Sequence, residues 1–79
     1  MKLNIEIELT DKEIEYIKYV DSIRDEFGTF NMDYYQLKKG NFSNEHQFLE
    51  SKSIVEYHFE NEYYYTTFLF DEILKELSK

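Results

Sequence analysis

The stretch IVEYHFENEYYYTTFL, residues 54–69, decides the fold class. Val55, Tyr57 and Phe59 alternate with Glu56, His58 and Glu60, a turn falls near Asn61 and Glu62, and Tyr63 to Leu69 is β-branched and aromatic. Period-2 alternation, a polar break and a second run of strand formers predict an antiparallel hairpin. Because Tyr63, Tyr64 and Tyr65 are consecutive, two of them share one sheet face and the middle one takes the other. After the hairpin, Asp71 is expected to cap a short helix in which Phe70, Ile73, Leu74 and Leu77 form an i, i+3, i+4, i+7 stripe.

Toward the N-terminus the pattern is helical. Ser43 or Asn44 starts a short helix that buries Phe48 and Leu49. Before it, Asn31 caps another, carrying Tyr34, Tyr35 and Leu37 and stopping at Lys38-Lys39-Gly40, where cations suit the helix dipole and glycine the C-cap. Thr10 and Glu13 form a capping-box pair, and Ile14, Ile17, Val20, Ile23 and Phe27 follow at helical spacing, which predicts a helix to about residue 26. Residues 1–9 put Met1, Leu3, Ile5, Ile7 and Leu9 on one face and Lys2, Asn4, Glu6 and Glu8 on the other, a half-buried strand. The expectation is a single acidic α+β domain over residues 1–79: a three-stranded, mostly antiparallel sheet packed by one long and two or three short helices, in the order β-α-α-α-β-β-α. Two separate cores would need about 50 residues each, so 79 residues hold one.

There is no Cys, Pro, Trp or Ala. The missing cysteines exclude a disulfide framework and a thiolate zinc site. Stability must come from packing or from a partner. At 42% hydrophobic and 19% aromatic residues, the chain has enough apolar matter to fold despite its charge. Phe, Tyr, Met, Ile, Asn and Lys, whose codons are AT-rich, fill 37 positions, whereas Gly, Ala, Arg and Pro fill 3, a skew expected of a low-GC bacterium or its phage. The start alternates charge and apolarity instead of offering the apolar run of a signal peptide, and no stretch approaches a membrane span, so a bacterial cytoplasm is the expected compartment.

The net charge is -8, from 17 Asp and Glu against 9 Lys and Arg. Residues 1–30 contribute eight acids and four bases, residues 31–53 three of each, and residues 54–79 six and two, so the excess sits at the two ends. On the first helix Asp11, Glu15, Asp25 and Glu26 are expected within about a third of the circumference. Glu6 and Glu8 share the outer face of one strand, and Glu56 and Glu60 flank His58 on another. Alternate residues of a strand are about 6.6 Å apart, comparable to the phosphate spacing of a nucleic-acid strand. Charged residues opposite an apolar stripe are ordinary for a soluble helix, but -8 on so short a chain adds self-repulsion beyond what solubility needs. Tyr63 and Tyr65 beside Glu56, His58 and Glu60 would add aromatic anchors to an acidic surface.

Catalytic chemistry is not expected. There is no cysteine, neither His46 nor His58 lies in a nucleophile context, and Gly28 and Gly40 alone cannot build a phosphate-cradling loop. Ligands at Glu56, His58 and Glu60 would spread over about 13 Å of strand, too far to share one metal ion, and His46 with Glu50 offers only a pair. No cofactor is therefore expected. Two short helices before a hairpin also resemble the core of a winged helix, whose helix before the hairpin enters the DNA major groove. Here that helix would present Glu45 and Glu50 to a duplex, from a domain of isoelectric point about 4.6.

These readings converge on a small cytoplasmic binding protein that occupies a basic surface of a partner, one that binds nucleic acid, and inhibits it stoichiometrically. In size, charge and codon skew the whole chain resembles the acidic anti-defence proteins of phages and mobile elements, the anti-CRISPR and anti-restriction proteins that imitate DNA. Neither direct nucleic-acid binding nor membrane binding is expected. The predicted contact set is Glu6, Glu8, Asp11, Glu15, Asp25, Glu26, Glu56, Glu60, Glu62, Tyr63 and Tyr65. The alternative is an immunity protein neutralising a cognate basic toxin or nuclease. A further one is an oligomeric phage structural protein, a homodimer through the C-terminal helix, or a winged-helix-like regulator.

Overall fold

The computed structural model describes residues 7–31 and 42–78. It is an α+β domain; among the described residues three helices pack against a three-stranded antiparallel sheet. The first helix, α1, spans Asp11–Ile23. It begins as its capping box requires: the Glu13 backbone N–H donates to Thr10 Oγ1 at 3.1 Å, and the Thr10 N–H donates to Glu13 Oε1 at 2.8 Å. The helix ends three residues earlier than its apolar spacing implies. Arg24 turns to an extended conformation, and the Asp25 carboxylate takes the N–H groups of Phe27 and Thr29, which competes with helix continuation. Gly28 follows in the left-handed region, at φ 80°.

That turn delivers Thr29–Phe30, the short strand β1, which the sequence reading leaves unassigned. The strand expected over residues 1–9 and the helix expected after Asn31 fall mostly outside the described residues. Of the former, Glu8 forms an isolated bridge and Leu9 is buried. Helix α2 is Ser43–Ser51. The hairpin follows as β2, Val55–His58, and β3, Tyr63–Thr66, with the turn over residues 59–62. β3 lies centrally, in the order β1-β3-β2. The last helix, α3, is Phe68–Leu77. Its N-cap is Thr67, four residues before the expected cap, and Asp71 instead lies in the first turn and pairs with Arg24.

The register fixes what faces inward. Val55 opposes Thr66 and Tyr57 opposes Tyr64, while Phe30 lies beside Tyr64 on the other edge. This face meets the core of Leu9, Tyr16, Ile17, Val20, Leu49, Ile54, Phe70 and Ile73, all essentially inaccessible. Leu74 and Leu77, from the α3 stripe, pack against the same core. The stripe is thus largely covered within its own chain. No helix among the described residues is long and apolar enough to cross a membrane.

Candidate functional site

Beneath the surface lies a polar chain that sequence spacing hints at only through His46 and Glu50. The Tyr16 hydroxyl donates to His46 Nδ1 at 2.7 Å, and His46 Nε2–H donates to Glu50 Oε1 at 2.8 Å. The Tyr64 ring meets the imidazole edge-on at 4.6 Å between centroids, and burial, with the nearby Glu50 carboxylate, raises the pKa of its phenol. Burial pushes the phenol of Tyr16 well above its ordinary pKa. It also holds the imidazole of His46 below its usual value, although Glu50 pulls the other way. A neutral imidazole with one nitrogen accepting and the other donating satisfies both bonds. The chain ties α1, α2 and β3 together.

The outer sheet face contains the expected grouping. Glu56 opposes Tyr65, and His58 opposes Tyr63. The Tyr65 hydroxyl donates to the Glu56 carboxylate, which raises the tyrosine pKa. The rings of His58 and Tyr63 stack, with centroids 5.3 Å apart and planes 9° apart. Tyr63 and Tyr65 are both half-buried. Glu60 and Glu62 lie exposed in the hairpin turn, where Glu62 takes a left-handed φ of 53°.

The remaining predicted carboxylates separate into two places. Glu8, Asp11 and Glu15 are exposed at the start of α1 and just before it. Asp25 and Glu26 are not on a helical face with them, because α1 has ended at Ile23; they sit in the turn leading to β1. Glu6 lies outside the described residues. A shared property connects those that are described. Internal ion pairs engage Glu45 with Lys12, Asp21 and Asp71 with Arg24, and Glu72 with Lys75, while Glu50 is held by its hydrogen bond from neutral His46. Within the predicted contact set, Glu8, Asp11, Glu15, Asp25, Glu26, Glu56, Glu60 and Glu62 make no ion pair with a cation among the described residues.

Sequence spacing also misses three exposed rings. Phe27 is 80% exposed, although its position suggests the buried stripe of α1, and Phe59 is 83% exposed at the hairpin turn. Phe59 packs edge-on against Tyr57 at 5.1 Å. Phe68, at the start of α3, is similarly open. Each follows from where an element stops, which periodicity locates poorly. The helix before the hairpin, α2, buries His46 and Leu49 and carries two acids, Glu45 and Glu50, so it offers no cationic face to a duplex. Comparison with protein-family models, curated proteins and solved structures returns no match.

Proposed function

We propose that this chain is a non-enzymatic inhibitor that binds the nucleic-acid-binding surface of a basic protein and excludes the nucleic acid from it. One observation carries the reading. Among the described residues, the contact-set acids Glu8, Asp11, Glu15, Asp25, Glu26, Glu56, Glu60 and Glu62 pair with no cation, whereas Asp21, Asp71, Glu45 and Glu72, outside the set, hold ion pairs of the fold. Unpaired surface acids repel one another and favour a cationic counterpart. On approach, the summed field of -8 steers the two proteins together. On contact, carboxylates replace phosphates opposite Lys and Arg, and Tyr63 and Tyr65, on the sheet face of Glu56, supply aromatic area beside them. In a phage, one of the two settings that the codon skew suggests, the target is a host nucleic-acid-binding defence protein.

The test is affinity capture from a low-GC bacterial lysate, with and without phage infection, at low and then high salt. Recovery of a basic nucleic-acid-binding protein, released by salt and competed off by DNA, is the expected result. Capture of only acidic or salt-insensitive partners would overturn the reading.

A further inference from the structure

We propose that the cleft between the end of α1 and the hairpin turn is an arginine site, which receives one guanidinium from the partner. The choice of arginine rests on the reading of a basic partner; the cleft itself is a feature of the fold. It has a volume of about 330 Å³ and is lined by Ile23, Asp25, Thr29, Asn31, Asn61 and Tyr63, with Phe30 also on its wall. That volume is at the small end of ligand sites and is enough for one side chain.

The lining matches both halves of an arginine. Ile23 and Phe30 are apolar and suit the aliphatic stem. The polar groups suit the planar head, which carries five donors and no acceptor. Asp25 supplies the charge, and its carboxylate is already fixed in position. Oδ1 accepts the N–H groups of Phe27 and Thr29, both at 2.9 Å, and Oδ2 accepts the Thr29 hydroxyl. These three donors leave acceptor capacity on Oδ2, since a carboxylate offers about four lone-pair sites. The bonds from Thr29 also hold the acid below its ordinary pKa, so it stays anionic. Asn31 and Asn61 bring side-chain amides to the lining, whose carbonyls can turn in as acceptors, and Tyr63, stacked on His58 on one side, lines the cleft as the aromatic group for cation–π contact. Among the described residues no cation pairs with Asp25: Arg24, next to it in the chain, is bonded to Asp21, Asp71 and Thr66. A lysine ammonium, as a compact point charge, would use Asp25 but not the whole arc of acceptors.

The cleft is tested on the isolated protein with N-acetyl-arginine amide as the probe and N-acetyl-lysine amide as the control of equal charge. In amide NMR titrations, saturable shifts are expected at Ile23, Asp25, Thr29, Asn31, Asn61 and Tyr63, with several-fold weaker binding of the lysine probe. Asp25→Asn should lower arginine affinity about tenfold, the effect of losing about 1.4 kcal/mol. Asn61→Leu leaves the bonds of Asp25 in place and should weaken arginine more than lysine, which guards against a merely loosened turn. No shifts, shifts spread evenly over Asp11, Glu15 and Glu60, or equal binding of both probes would overturn the site. Because these titrations need no partner, they report on the cleft whatever the capture experiment recovers. If a partner is captured and Asp25→Asn binds it undiminished, the cleft is wrong and the inhibition stands.

Discussion

A hydroxyl, an imidazole and a carboxylate in line hold the middle of this domain, and they set its behaviour residue by residue. Tyr16 is fully buried, and its hydroxyl is the donor that satisfies His46 Nδ1. Tyr16→Phe keeps the ring and removes that donor, leaving an unpartnered nitrogen in the core; urea unfolding should show a loss of about 1–3 kcal/mol. An unchanged midpoint would mean that the nitrogen finds another partner. The same burial predicts a pH dependence. His46 has its folded pKa below the unfolded value of about 6.5, so the unfolded chain takes up the proton first as pH falls. Stability is therefore complete above about pH 6.5 and declines below it, toward the folded value. The His46 ring resonances should titrate below about 6.5 by NMR; a midpoint above it would reverse the argument.

At the scale of elements, the hinge between α1 and β1 is the most sensitive position. A Cβ on Gly28 would stand 2.7 Å from Thr66 Oγ1, and the residue holds φ at 80°. Gly28→Ala should destabilise the domain by about 1–3 kcal/mol and broaden amide signals of β1, measured by thermal unfolding and NMR. A neutral substitution would show that the turn can relax. This hinge also shows what sequence can reveal. The capping box at Thr10 and the alternation from Val55 to His58 are local signals, and both elements form where those signals put them. The two-residue strand Thr29–Phe30 carries no periodicity and exists because β3 pairs with it. Asp71 looks like a cap by type, yet Thr67 precedes the helix and Asp71 is drawn to Arg24 from another element. The candidate acids are read from composition and charge placement alone. Their lack of cation partners among the described residues and the cleft beside Asp25 depend on contacts between residues far apart in sequence, as when Arg24 selects Asp71.

For the whole molecule the decisive quantity is the charge of -8 on 79 residues. Self-repulsion should make the isolated domain more stable as salt rises from low levels to about 0.15 M, where the screening length is about 8 Å. The same salt should weaken binding to a basic partner, so the two effects run in opposite directions. A melting temperature that falls with added NaCl would contradict a surface of unpaired like charges.

The central claim is competition for a nucleic-acid surface, and the most direct measurement is the affinity of the captured partner for its nucleic acid, titrated with this chain at fixed ionic strength. The account predicts stoichiometric loss of nucleic-acid binding. Charge reversal at Glu56 and Glu60 should weaken that inhibition, while reversal at Glu72, already paired with Lys75, should have little effect. A ternary complex in which the partner holds the nucleic acid and this chain together, with affinity for the nucleic acid unchanged, would contradict it.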